Sequence, residues 1–210
     1  MNKLSMFLFL SLCIGYRSYG QKIFSEGIIT YDVFVDGSAK PDGLYSVTVK
    51  NNMSRRELFM NNGFNNILIF NQKTGSTITL NIDDENKYAL MMTAAEMAEK
   101  NKRFEKAVFS FTNQKKTIAG YASAAATVRY LNGEEANFYF TSELLPPHES
   151  FNIMFPGLQG VPMEYEVKST TDKKILFVAT AIETKIVDGK VFDIPKDYKI
   201  VSKEELEKMK

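Results

Sequence analysis

An Asn132-Gly133 pair between two β-rich runs constrains this chain more than any other feature. A small-residue run from Tyr121 to Leu131 leads into it, Phe138-Tyr139-Phe140 leads away, and Pro146-Pro147 ends the return. In a two-residue hairpin turn both positions take positive φ, which Asn and Gly tolerate best. The stretch therefore predicts an antiparallel hairpin with a defined register. Its neighbours carry the same signal. Ile29, Tyr31, Val33 and Val35 alternate with polar residues, as do Tyr45, Val47 and Val49, and a period of two marks half-buried strands.

Further strands are expected at Met53–Met60, Thr77–Ile82, Val108–Phe111, Met163–Lys168 and Ile175–Val187, with Asp188-Gly189 as a second hairpin turn before a short strand ending at Pro195. Four runs, Ile67–Phe70, Tyr88–Met92, Phe138–Phe140 and Ile175–Ala179, are apolar without alternation. A strand with one wet face should alternate, so something must cover both faces of these four. Thr93-Ala94-Ala95-Glu96 has capping-box spacing and opens a helix over 93–104, expected to lie on the sheet. Ser202-Lys203-Glu204-Glu205 repeats the pattern before a short C-terminal helix. Leu144–Gly160, with its Pro and Gly, reads as an irregular surface loop. The expected architecture is α+β and mostly β: a curved antiparallel sheet of about ten or eleven strands, the main helix (93–104) against its concave face.

The first twenty residues differ from the rest. Lys3 is followed by an apolar core, Leu4–Ile14, and Ser18 and Gly20 suit a cut before Gln21. As a helix this core would span about 16 Å, half of the roughly 30 Å that a bilayer demands. It reads as a secretory signal peptide, residues 1–20, ahead of a single domain over 21–210. Leu12 before Cys13 argues against a lipoprotein signal. Removing 20 of 210 residues leaves 190, enough to bury roughly 70% of the unfolded surface. Lys3 and Arg17 leave with the leader, so 24 cations face 25 acids, a net charge of −1. That balance offers no basic field for nucleic acid. The mature chain would hold no Cys and no apolar run of transmembrane length, so packing alone must stabilise it.

Catalytic signals are sparse. His148 is the lone His and is expected in a solvated loop. No nucleophile elbow, zinc-binding His pair or phosphate-cradling Gly loop is present. Asp83-Asp84-Glu85 offers oxygen ligands for a hard cation, but its spacing fits no calcium loop and a solvated turn suffices. No metal, cofactor or enzymatic activity is expected. Met60, Met91, Met92, Met97, Met154 and Met163 supply adaptable apolar surface, suited either to a cavity wall or to an ordinary core.

Three signatures carry a resemblance: Thr117-Ile118-Ala119-Gly120-Tyr121 with Tyr139-Phe140-Thr141-Ser142-Glu143-Leu144; Gly157-Leu158-Gln159-Gly160-Val161-Pro162-Met163-Glu164-Tyr165; and Phe192-Asp193-Ile194-Pro195 with Tyr198-Lys199. Together they resemble an uncharacterised family of exported proteins in Bacteroidota, related in fold to the periplasmic lipoprotein carriers LolA and LolB. The resemblance implies an incomplete barrel, a periplasmic or outer-envelope location in a Gram-negative bacterium, and a hydrophobic cavity that binds a lipid, another apolar ligand or a lipidated partner. Met91, Met92, Phe138, Phe140, Leu176 and Phe177 are the expected cavity wall, although only alternate residues of each strand can face inward. The alternative is an envelope interaction module with a filled core, making contact through a sheet edge or the loop from Pro146 to Pro162.

Overall fold

The computed structural model describes residues 20–83, 86–169 and 171–208. The expected leader and its Cys13 lie outside these, as do Asp84 and Glu85 of the acidic run. In chain order the elements are β1 (Lys22–Ile23), β2 (Glu26–Val35), β3 (Gly43–Lys50), β4 (Met53–Met60), β5 (Asn65–Asn71), β6 (Ser76–Asp83), β7 (Asn86–Met92), α1 (Ala94–Asn101), β8 (Val108–Ile118), β9 (Tyr121–Arg129), β10 (Glu135–Thr141), β11 (Leu144–Leu145), β12 (Val161–Lys168), β13 (Lys174–Glu183), β14 (Lys199–Val201) and α2 (Lys203–Lys208). Twelve strands form one curved sheet in the order β14-β7-β6-β5-β4-β3-β2-β13-β12-β10-β9-β8, and β1 pairs with β11 separately. The expected ten or eleven strands correspond to this sheet apart from β14, which is added parallel to β7 and is only three residues long; the two-residue β1 and β11 were likewise not expected.

The sheet does not close on itself. Near its two ends lie β7 and β8, and the chain between them is α1 followed by a 3₁₀ turn, Lys102–Phe104. Both halves of the α1 capping box are present: the Glu96 N–H donates to Thr93 Oγ1 at 3.3 Å, and the Thr93 N–H donates to Glu96 Oε2 at 2.7 Å. Met97 and Phe104 are the buried residues of this segment, Phe104 against the Tyr130 ring at 5.3 Å. The second capping box is formed in the same way by Ser202 and Glu205.

The Asn132-Gly133 hairpin joins β9 to β10 by a different route from the expected one. Gly133 has φ +86°, whereas Asn132 is not in the positive-φ region. The Tyr130 N–H donates to the Glu134 carbonyl and the Gly133 N–H to the Tyr130 carbonyl, which is a three-residue loop with a glycine bulge. Turns with two successive positive-φ residues occur instead at Ala119-Gly120, at +47° and +83°, between β8 and β9, and at Asp36-Gly37, at +50° and +75°, after β2.

Two further expectations are corrected. Asp188-Gly189 is no hairpin turn. The strand ends at Glu183, Asp188 caps a 3₁₀ helix (Gly189–Phe192) by accepting from the Lys190 N–H, and residues 187–198 strap across the sheet. Val187 and Phe192 are the reason: both are buried against Ile67, Ile69, Leu80 and Ala89. The segment from Leu144 to Gly160 is likewise no surface loop, because Phe151, Phe155 and Leu158 are buried in the main core.

Register assigns the two faces. Val33 pairs with Phe177, Phe177 with Tyr165, Tyr165 with Phe138 and Phe138 with Ala126, so one row crosses five strands, aromatic on the middle three. This inner face lies under the flap of residues 146–160. Ile67, Ile69, Leu80 and Ala89 belong to the opposite, outer face, under the strap. The nonalternating run Ile67–Phe70 is thereby explained: its odd positions meet the strap, and Phe70 turns inward toward the His148 ring at 5.7 Å.

Candidate functional site

The site is built where the flap crosses β2, β3 and β4. Tyr31 of β2 lies beside Tyr45 of β3, ring centroids 5.5 Å apart, and Tyr165 of β12 meets Tyr31 edge-on at 6.0 Å. Val47 and Arg56 are cross-strand partners on the same face. From the flap, Phe151, Ile153 and Phe155 complete an aromatic-walled pocket of about 210 Å³. This is below the ~300–1,000 Å³ of drug-sized ligand sites and holds roughly seven waters' volume at ~30 Å³ each.

Two side chains from outside the flap anchor its backbone: Arg56 of β4 donates to the Phe151 carbonyl, and Tyr130 Oη, just past β9, donates to the Met154 carbonyl at 2.6 Å. Within the flap, Asn152 Nδ2 donates to the Gly160 carbonyl at 2.9 Å. These bonds let an irregular segment be buried, since unpaired backbone groups there would be costly. Phe155 wedges between Phe138 at 4.4 Å and Tyr165 at 5.6 Å. Gly160 is required at the exit, where a Cβ would lie 2.5 Å from the Thr141 carbonyl oxygen.

Burial pushes the Tyr31, Tyr45 and Tyr165 hydroxyls above the ordinary tyrosine range, with the Arg56 guanidinium offsetting part of the rise. Tyr31 Oη donates to the Pro162 carbonyl at 2.9 Å. These hydroxyls are neutral polar groups in the pocket, not phenolates. His148 is not solvated as expected: it is 7% exposed, packed between Phe70 and Phe151, and its Nε2 has no protein partner. Burial, reinforced by the charge of Arg56, holds its pKa below 6.5.

Of the six residues expected to form a wall, Met92, Phe138, Phe140 and Phe177 are on the inner face and buried. Met91 and Leu176 are on the outer face, one residue out of phase. Met91 is 43% exposed. None of the six lines the flap pocket; Phe138 sits behind Phe155, and Phe177 lies stacked on Tyr165 at 5.0 Å. None of the pocket's lining residues was among the expected wall: Tyr31, Tyr45 and Val47 had a visible inward alternation, Arg56 lies on the face opposite Arg55 and Glu57, and Phe151, Ile153 and Phe155 fell in a segment read as surface loop. A larger depression of about 860 Å³ touches Phe138 and Tyr165 on one face but Asn137, Tyr139 and Leu176 on the other. It wraps around the strand ends onto both faces and, like the flap pocket, is partly open to solvent. Among the described residues no cluster of three or more metal-ligating side chains occurs, and no helix is long and apolar enough to cross a membrane.

No family model matches the chain, and no curated protein matches it by sequence. Among solved structures it is similar to PNGF-II at 14% identity and a TM-score of 0.53, covering 88% of this chain and 33% of that one. The chain thus spans about a third of PNGF-II. Weaker likenesses include MucB (10% identity, TM-score 0.43, 82% of this chain and 58% of that) and a LolA superfamily protein from Nitrosomonas europaea (6% identity, TM-score 0.35, 83% and 92%). What the chain shares with the PNGF-II structure, at this identity, is its fold.

Proposed function

We propose that the protein is an exported, non-enzymatic envelope module that binds an apolar ligand in the inner-face pocket beneath the flap. The observation that carries this reading is the pocket itself: space, partly open to solvent, left among the buried Tyr31, Phe151 and Phe155 and the half-buried Tyr45 and Tyr165 while the flap is seated. Its lining supports binding over catalysis, because three protonated tyrosines, one arginine and apolar side chains provide no base beside a nucleophile. Burial of apolar area drives such binding at about 25 cal/mol per Å² before entropic losses. A long acyl chain, from a lipid or a lipidated partner, exceeds this volume and enters only as Phe151 and Phe155 move out. Export rests on the N-terminal leader pattern and on the resemblance of the three signatures.

Solvent extraction of the protein purified from its native host tests this, together with titration of a fluorescent fatty-acid probe. Co-purified lipid or saturable probe binding supports the proposal; a clean extract with no probe binding overturns it. The second reading, an interaction module, is favoured by another observation. Leu44 and Phe59 are cross-strand partners on the outer face, and both are exposed, as is Phe64 nearby. Under that reading this patch makes the contact, since the flap is committed to the core.

A further inference from the structure

Arg56 is the one full charge lining the flap pocket, and its surroundings do not neutralise it. No ion pair among the described residues includes it, whereas neighbouring Arg55 pairs with Glu57 at 3.4 Å on the outer face. Alternation places Glu57 on the side opposite Arg56, so the nearest carboxylate in sequence cannot serve it. The guanidinium has five N–H donors. Its hydrogen bonds go to Ser54 Oγ at 3.3 Å and to the Phe151 carbonyl, and its carbon lies 5.7 Å from the Phe151 ring centroid. The Tyr45 hydroxyl is a further hydrogen-bond partner, and donors still remain in a pocket whose other lining is neutral, made of tyrosine hydroxyls, Asn152 and apolar side chains. A half-buried cation with no anion beside it is open to a ligand carboxylate, which would accept two parallel N–H bonds from it.

We propose that the ligand is a small amphiphilic carboxylate, its anionic head on Arg56 and its short apolar tail among Tyr31, Tyr45, Tyr165 and Phe155. This rests on the binding reading above and narrows it. The volume of the pocket sets the tail at medium-chain length while the flap is seated.

The test compares octanoate with 1-octanol, which share a tail and differ in the head, by NMR titration of the wild-type protein and of Arg56→Met. Octanoate should bind the wild type about tenfold more tightly or better, with shifts at the amides of Tyr45, Val47 and Ile153. Arg56→Met should bring octanoate down to the octanol level, and Arg56→Lys should keep part of the preference, as a point charge without the planar fork. Equal binding of the two by the wild type overturns the anionic head and leaves the pocket reading standing. A preference that survives in Arg56→Met overturns the role of Arg56. Binding of neither compound overturns the pocket reading itself. Should Arg56→Met fail to fold, because it loses its bond to the flap, the wild-type comparison still decides.

Discussion

The two covers of the sheet solve the same problem with different chemistry. On the outer face, Val187 and Phe192 of the strap lie on Ile67, Ile69, Leu80 and Ala89, aliphatic against aliphatic with one aromatic ring. The strap is pinned at its start, where the Val187 N–H donates to Glu26 Oε1 at 3.0 Å, Lys50 donates to the Val187 carbonyl, and Lys50 pairs with Glu26 at 3.1 Å. On the inner face the flap is aromatic, held largely by hydrogen bonds from side chains to its backbone, and it leaves about 210 Å³ unfilled. The strap therefore acts as permanent packing, and the flap as a cover over usable space.

The hardest test of this contrast is a pair of truncations. Phe192→Ala and Phe155→Ala should each cost about 3–5 kcal/mol by urea unfolding, since both remove a buried ring. They should part in binding. Phe155→Ala enlarges the flap pocket and should raise binding of a fluorescent fatty-acid probe, while Phe192→Ala should lower stability alone. Enhanced probe binding by Phe192→Ala, or none by Phe155→Ala, would break the distinction between the covers.

Much of the fold was legible because alternation and caps are local signals. β2, β3 and both capping boxes depend on residues a few positions apart, and Ile67–Phe70 announced two covered faces. The identity of the covers was not legible. Whether Phe151 and Phe155 lie on the surface or in the core depends on Arg56 and Tyr130 reaching their backbone across 95 and 24 positions. The Asp188-Gly189 pair misled for a related reason: turn chemistry is local, but burial of Phe192 over β5 and β6 decided where the chain went. Arg56 was missed as a site residue because it is one charge on a polar strand, and its significance comes from what the flap places above it.

Intermediate effects should come from the bonds that seat the flap. Asn152 is buried, and Asn152→Ala leaves the Gly160 carbonyl without this donor, a loss of about 1–3 kcal/mol. Tyr130→Phe removes only the hydroxyl donating to the Met154 carbonyl and should cost about 1 kcal/mol. Native-state hydrogen exchange sharpens the comparison. Both variants should speed exchange of the Phe151, Phe155 and Leu158 amides, which donate within the flap, while the Val187 and Val191 amides of the strap stay as protected as in the wild type.

The smallest expected effect is a difference in the pH at which each cover loosens. His148 has its pKa held below 6.5 by burial and by Arg56, so the folded protein binds this proton less readily than the unfolded chain. Its contribution to stability is complete above about pH 6.5 and is lost as pH falls through the folded-state value. Protonation puts a hydrogen on both ring nitrogens, and Nε2, between Phe70 and Phe151, has no acceptor for its own. Glu26 under the strap is also held below its ordinary 4.5, first by the Val187 N–H and then by Lys50. Its contribution persists above about pH 4.5 and fades only as pH drops through its lower folded-state value. Exchange measured at about pH 7.5 and about pH 5.5, corrected for intrinsic rates, should therefore show loosening of the Phe151 and Phe155 amides alone, with Val187 unchanged. His148→Gln should remove that pH dependence. Parallel loosening of flap and strap over this interval would mean that the two covers open as one unit.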